Sequence, residues 1–542
     1  MSNQPVPVDT DGLETFFETT DNTFRWVTPN SAYLSLAERN LATLVSAWRS
    51  MDGDGDEAKA FALKLCFINQ DLVRLGCLAM DVVGLKGVGK KATYNIDTNP
   101  IVTFLDAGGD LAGVAFARND WPQLYASRMV WKGRGLAKSV LRWSQGLLWS
   151  PSDRLDVMSS NELSEQFTSA TGKHRRRLFA YLLDSPMPEV APTGISHLAD
   201  MLVDGFLALI EPQLNDDRDT IERTRQGARR ICHAHLGQAW RDLGMMRRSG
   251  GGSRPADIMI SGTPKYLGRL LSLFQQERGG QVYRFAHGGE RVFFDDAEWA
   301  VNELPFCDQY FCHSQGEANA VRQRLQQNRV PRIGADTPTF IGFGSHRHLG
   351  IHEGQSKSPA KGGGKNIVYV SNDYTGEAYY MPPAFRCNDV LYTEWQVWLL
   401  RTLRDMGFEV TFKAHPRDGS ARLAMFSKLC HAVDTAPFEA GRYGSRCLLF
   451  DFAGTAFFDA LATNIGVVLV DTGTRPLDVT TLADLDRRCH RVLGFTDDRN
   501  LFRAEESALR EAILGAIESD HCDEGFFEKF FCAAAPAIEP AA

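Results

Sequence analysis

Residues 408–418 read FEVTFKAHPRD, and residues 447–473 read CLLFDFAGTAFFDALATNIGVVLVDTG. In each, an apolar, β-prone run stops abruptly at polar side chains. The first run (Val410, Phe412) gives way to Lys413, His415 and Arg417. The second (Cys447 to Phe450) gives way to Asp451 and then to Gly454-Thr455, where a helical pattern opens. Parallel α/β sheets bind ligands at the carboxyl ends of their strands, and helix N-termini attract anions. Two neighbouring strand ends therefore offer cations, a hydroxyl and backbone N–H groups to one anionic ligand. That is the outline of a nucleotide mono- or diphosphate site.

Lys413, His415 and Arg417 are spaced by two, so an extended strand end turns all three to one face, where they can converge on phosphate oxygens. Pro416 fixes its own φ and keeps His415 extended. The plainer alternative is a solvated loop carrying a few charges. Thr455 is a candidate hydroxyl donor, and Gly454 lets a ligand approach the backbone. Asp451 is a nucleotide-contact candidate or simply an N-cap. Ser371 and Asn372 follow the run NIVYV and face the same crevice if the sheet is wound as expected. With fixed cations and a helix terminus on the phosphate, no metal or cofactor is called for.

Outward from this core, strand-like and helix-like patterns alternate on both sides of a glycine-rich stretch, SKSPAKGGGK (Ser356 to Lys365). Such alternation favours parallel sheets with right-handed crossovers. The expected fold is α/β and GT-B-like, with two Rossmann-like domains facing a cleft and extra helices in the N-terminal half. The expected division is an acceptor-side domain over 1–345 with a helical insertion near 155–250, a linker over 346–365, and a nucleotide-donor domain over 366–535. Before residue 150, FALKLCFI, CLAMDVVG and NPIVTFLD read equally as strands or buried helix. Thr263 and Pro264 are read as the cap and first residue of a helix running to Arg278, and the last residues, CAAAPAIEPAA, as a frayed tail.

The N-terminal half holds a second candidate centre. His287 follows the strand QVYRFA and precedes two glycines, which leave room around an imidazole that titrates near neutral pH. His287, Glu290 or Asp295 could deprotonate an acceptor hydroxyl; a structural role for His287 stays open beside this. Gly84 to Lys91 (GLKGVGKK) nearly matches a phosphate loop, but Lys91 stands where a hydroxyl should hold Mg²⁺, and no helix follows. It reads as a basic glycine turn. His346, His348 and His352 lack the spacing of a metal site and read as an exposed loop. His174 to Arg177 (HRRR) reads as a solvated helix face.

Composition narrows the partners. At 542 residues the chain exceeds one core. A net charge of −8 gives no general attraction to nucleic acid or anionic lipid. The N-terminus shows neither a basic nor an apolar segment of a secretory signal, and no run approaches the roughly 20 apolar residues of a membrane span. The 11 cysteines form no CxxC pair, which suits a reducing compartment. The expectation is a cytoplasmic protein, with peripheral association at the inner membrane through its acceptor.

The residues quoted above carry a family resemblance over about 255–520. The second half resembles the donor-binding domain of GT-B glycosyltransferases of bacterial surface and capsular polysaccharide biosynthesis. That architecture is shared by Kdo and sialic acid transferases and by CDP-glycerol glycerophosphotransferases. KAHPR is similar to their HP motif, in which the histidine contacts the donor phosphate, and FDFAGTAFFDALATN to their strand-turn-helix, with Thr455 in the hydroxyl position. His287-Gly288 resembles the HG pair of the glycerophosphotransferases, where the histidine is the base. The resemblance implies a glycosyltransferase that moves a sugar from a nucleotide-sugar donor, CMP-linked by the HP motif, to a polysaccharide or lipid-linked glycan. The alternatives are a CDP-glycerol-type polyol-phosphate transferase, a UDP-sugar 2-epimerase, a P-loop NTPase and a non-catalytic carbohydrate-binding assembly protein.

Overall fold

Strand β9 (NIVYV) is buried along four of its five residues, and CLLF and GVVLV are buried throughout. Continuous apolar runs are what a parallel sheet covered on both faces requires. The computed structural model describes residues 6–8, 24–53, 55–94, 100–108, 111, 154–177, 193–249, 257–262, 266–295, 298–328, 338–356, 365–374, 387–416, 418–440, 443, 445–518 and 523–532. Arg417, Thr263, Pro264 and the tail after Cys532 lie outside the described residues.

In chain order, β1 (Val6–Pro7) pairs with β2 (Ala92–Thr93) around helices α1 (Asn30–Arg49) and α2 (Asp56–Gly87), and α3 (Pro100–Ala107) follows. FALKLCFI and CLAMDVVG are thus one 32-residue helix, and NPIVTFLD is helical too. The ambiguity arose because α2 is buried on nearly every side, which erases the amphipathic stripe. Next come β3 (Arg154–Val157), α4 (Glu162–Thr171) and β4 (His174–Arg177), then α5 (Thr193–Ile210) and the 32-residue α6 (Arg218–Ser249). The expected helical insertion therefore begins as strand-helix-strand. HRRR is a strand at the sheet edge, not a helix face; charged edge strands resist pairing with other chains.

The first sheet continues through β5 (Asp257–Ser261), α7 (Tyr266–Gln276), β6 (Val282–Phe285), α8 (Glu298–Glu303), β7 (Gln309–Cys312), α9 (Gln315–Asn328) and β8 (Thr339–Gly342). Among the described residues its order is β4-β3-β5-β6-β7-β8, with every pair parallel. Helix α10 (His346–Ser356) occupies the start of the segment expected to be linker. SHRHLGIHE is therefore helical with His348 buried, a correction to the exposed-loop reading.

The second sheet is built from β9 (Asn366–Val370), α11 (Asp389–Asp405), β10 (Glu409–Lys413), α12 (Ser420–Ser427), β11 (Ala432–Asp434), β12 (Cys447–Phe450), α13 (Thr455–Leu461), β13 (Gly466–Asp471), α14 (Val479–Arg488), β14 (His490–Thr496) and β15 (Phe502–Ala504). Helices α15 (Glu506–Glu518) and α16 (Glu524–Phe531) close the described chain. Gly407 ends α11 at φ +84°, a left-handed cap that favours glycine. The order is β11-β10-β9-β12-β13-β14-β15, parallel except for the antiparallel β14–β15 pair. The chain runs outward from β9 through β10 and β11, then returns to the other side of β9 at β12. The reversal between β9 and β12 is the topological switch point, where α/β sheets bind ligands.

The halves meet along a seam. Arg324 of α9 donates from Nε to Asp478 Oδ2 at 2.8 Å and from its terminal nitrogens to the carbonyls of Arg291 and Val292. Asp478 is also the N-cap of α14. Phe293 lies among Phe457, Phe458, Phe526 and Phe530, so α16 returns to cover the first half. Behind the sheets, α2 and α6 form a helical layer joined to the second sheet's side by Asn388 donating to Asp81.

Candidate functional site

A pocket of about 400 Å³ opens at the switch point, lined by Asn372, Tyr392, Trp395, Asp451, Phe452 and Thr472 among others. A neighbouring pocket of about 240 Å³ shares Asp451, Phe452, Thr472 and Thr474 and adds Phe294 and Arg475. Both are open clefts with aromatic walls and a few polar groups. Asp451 is fully enclosed and accepts from Tyr369 Oη at 2.5 Å, Trp395 Nε1 at 3.0 Å and Tyr392 Oη at 3.2 Å. Burial pushes its carboxyl up to about 6, although the three donors pull the other way. Tyr392 Oη in turn accepts from the Asn372 N–H at 2.9 Å, so both strand ends are tied to one tyrosine. Arg475 lies over the Phe294 ring, 3.7 Å from its centroid.

The strand-end residues read from the sequence divide into two groups. Ser371 Oγ donates to Lys413 O at 3.2 Å and accepts from the His415 N–H at 3.1 Å, which ties the ends of β9 and β10. The Lys413 ammonium is buried and donates to Ala414 O at 2.5 Å and to Asp434 O at 3.4 Å, so it points back along β10 and β11. Gly454 (φ −93°), not Asp451, takes the N-cap position of the seven-residue α13, and Thr455 is its first residue. Strands β10 and β12 flank β9, so His415 and Thr455 leave strands roughly 10 Å apart. Thr455 belongs instead with the first half.

Gly288 and Gly289 have φ of +85° and +78°, and both approach α13 closely. A Cβ on Gly288 would stand 2.4 Å from Thr455 Oγ1 and 2.5 Å from Glu290 Oε2; one on Gly289 would stand 2.2 Å from the Phe458 ring. Only glycine fits at either point. Thr455 and Glu290 thus crowd the same spot at the seam. Glu290 is buried, and its Oε2 has no hydrogen-bond partner among the described residues. A buried, unsatisfied carboxylate oxygen is costly and calls for a functional account. His287 is exposed, with Nδ1 against Gly262, and Asp295 is exposed with its N–H on Pro476 O at 3.0 Å. Of the three acid–base candidates, Glu290 alone has its side chain buried at the seam; Asp295 meets it through its backbone and an exposed side chain.

Beside them lies a cluster the sequence reading missed: Glu162, His313 and His348, with Glu317 and Asp459 behind the histidines. Burial works against the charged form of both rings. At His313 the Glu317 hydrogen bond and the Glu317, Glu162 and Glu290 charges outweigh it and raise the pKa; at His348 burial wins and lowers it. His313 directly follows β7, the one signal a sequence carries for it. Asp459 and Arg475 had no such marker.

Two parallel, Rossmann-like sheets whose carboxyl edges meet at a seam define a GT-B-like architecture. No family model matches the chain, and no curated protein matches it. Among solved structures, the chain is similar to a UDP-N-acetylglucosamine 2-epimerase from Rickettsia bellii, at 14% identity and a TM-score of 0.35, over 68% of this chain and 88% of that one. A likeness at that level carries no argument about chemistry.

Proposed function

We propose that the chain is a nucleotide-sugar-dependent glycosyltransferase, moving a sugar from a nucleotide-activated donor to a surface polysaccharide or lipid-linked glycan. What supports this reading is the switch-point pocket together with Glu290 across the seam from the second sheet, a buried carboxylate whose Oε1 lies 3.9 Å from Arg291 and whose Oε2 has no hydrogen-bond partner among the described residues. The aromatic pocket around Asn372, Tyr392 and Trp395 suits a nucleoside. Arg475 lines the adjoining space, where a cation offsets charge growing on the leaving phosphate. Thr455 adds a hydroxyl beside Gly288. Glu290 takes the proton of the acceptor hydroxyl as that oxygen attacks the sugar carbon and the bond to the phosphate breaks. A glycan or lipid-linked acceptor would draw the enzyme to the cytoplasmic face of the inner membrane. The HP motif favours a CMP-linked donor.

The test is a thermal-shift panel of CMP, CDP, UDP and GDP compounds, followed by turnover of the stabilising donor with and without a glycan acceptor. Selective stabilisation by one base, with release of nucleotide only when acceptor is present, is expected. Proton NMR showing the donor isomerised in the absence of acceptor would overturn transfer in favour of epimerisation.

A further inference from the structure

Glu162, His313 and His348 take no part in the proposed transfer, yet three elements of the first half bring them together. Glu162 opens α4, held by the capping box of Asn161 and Ser164. His313 leaves the end of β7. His348 lies in the first turn of α10, where its N–H meets the cap hydroxyl of Ser345 at 3.3 Å. One ligand-type atom from each of the three lies within 4.8 Å of the others.

A carboxylate braces each imidazole from behind. His313 Nδ1 is 3.2 Å from Glu317 Oε2, and His348 Nε2 is 2.9 Å from Asp459 Oδ1, whose carboxylate also pairs with Arg347. An ionised carboxylate only accepts, so these nitrogens carry the ring protons. The opposite nitrogens, His313 Nε2 and His348 Nδ1, then present lone pairs to Glu162 Oε1, 3.9 and 3.6 Å away. Ser345 Oγ lies 2.5 Å from Glu162 Oε1 and 2.7 Å from His348 Nδ1, but has one proton for two acceptors. Glu317 Oε1 is buried without a hydrogen-bond partner among the described residues. With both rings neutral, the form a metal ion binds, the cluster holds more lone pairs than protons, in a place screened by Phe458 and Phe531. Ser345, His348 and Asp459 also line up as a hydroxyl–imidazole–carboxylate relay, but Ser345 is fully buried and presents no surface to a substrate.

We propose that Glu162 Oε1, His313 Nε2 and His348 Nδ1 bind one divalent transition-metal ion, zinc first among the candidates. Two imidazoles and a carboxylate are a donor set for zinc or non-haem iron, and a carboxylate on the far nitrogen of each imidazole is the outer-shell arrangement of protein metal sites. Bonds of about 2.0–2.1 Å around a tetrahedral ion set ligand atoms roughly 3.3 Å apart. The gaps from Glu162 Oε1 to the two imidazoles, 3.6 and 3.9 Å, lie a few tenths of an ångström above that, and all three ligand atoms sit within 4.8 Å of one another. Because Asp459 and Phe458 come from α13, an ion here also ties the two halves together.

The test measures metal directly. Full-length protein purified without chelator should carry about one equivalent by mass spectrometry, and Co²⁺ added to chelator-treated protein should give visible d–d bands. Folded His313→Gln and His348→Gln should lose that equivalent, and Glu317→Gln, which keeps all three ligands, should weaken Co²⁺ binding about 10–100-fold. His346→Gln, on the exposed side of α10, should bind as wild type. A folded wild type without bands, or a folded His313→Gln that retains the metal, would overturn the site. Should the histidine variants fail to fold, wild-type Co²⁺ titration against Glu317→Gln decides, and equal affinities there count against it.

Discussion

At the carboxyl edge of the second sheet, the reversal between β9 and β12 leaves an open pocket of about 400 Å³ with aromatic walls. At the same edge of the first sheet, hydrogen bonds tie together the strand ends at the reversal between β3 and β5. Ser159 Oγ donates to Ser261 O at 2.8 Å and accepts from the Ser261 N–H at 3.0 Å. Topology places a crevice at both reversals, but side chains decide whether it stays open. In the proposed transfer, the second sheet holds the nucleotide and the first supplies Glu290 at the boundary.

The largest expected effect separates these roles. Glu290→Gln keeps the shape at Gly288 and Thr455 but removes the proposed base, so turnover should fall about 10²–10⁴-fold. The nucleotide-induced rise in melting temperature should be unchanged, because the pocket lies on the other sheet. A parallel loss of nucleotide binding would show that the two edges are not divided this way. Next in size, Arg324→Ala should destabilise by about 3–5 kcal/mol, since it leaves the Asp478 carboxylate buried at the seam without its cation. Thermal unfolding measures this. A change below about 1 kcal/mol would mean that the Phe293 cluster and the other hydrogen bonds across the seam hold the halves without Arg324.

How much of this division could be read beforehand follows from where burial comes from. NIVYV, CLLF and GVVLVD were legible because a parallel strand is apolar on both faces, whatever else the chain does. Strands β3 and β4, at four residues each and carrying RLDV and HRRR, are too short and polar to announce themselves. His348 was misread because its burial is supplied by Phe458 and Phe531, more than a hundred residues away. The AHPR and AGT turns were rightly seen as strand ends, but sequence spacing could not tell that β9 lies between them. Lys413 was read as free because nothing local shows that its ammonium finds the Ala414 and Asp434 carbonyls.

Two buried aspartates sharpen the comparison between pocket and scaffold. Asp81, in the helical layer, is pushed up to about 7 by burial, with Tyr33 and Thr28 pulling the other way; Asp451, in the pocket, goes to about 6. In both, the folded state holds a proton that the unfolded chain, with its ordinary carboxyl near 3.8, releases earlier. Stability is therefore greatest below about pH 4 for these groups and is lost as pH rises through their folded values. For Asp81 the full loss is on the order of 4 kcal/mol, spread over pH 4 to 7. Asp81→Asn should flatten that slope in urea titrations, and Asp451→Asn should flatten a shorter one that ends near pH 6. Identical slopes in wild type and Asp81→Asn would mean that the side chain is ionised in the folded protein.

The smallest expected effect bears on the first sheet's exposed histidine. His287 stands beside Gly288 in the chain, but its imidazole rests on Gly262 and faces solvent. Glu290, three residues on, is the group turned into the seam beside Thr455. If position and not residue type decides which of them accepts the proton, His287→Ala should lower turnover by less than about threefold, under roughly 0.7 kcal/mol of barrier. Steady-state kinetics at saturating donor, with acceptor varied, checks this. A loss of about a hundredfold with unchanged melting temperature would assign the base to the imidazole. Glu290 would then be the group that orients the acceptor, and the seam would have to open in the working complex to let the two meet.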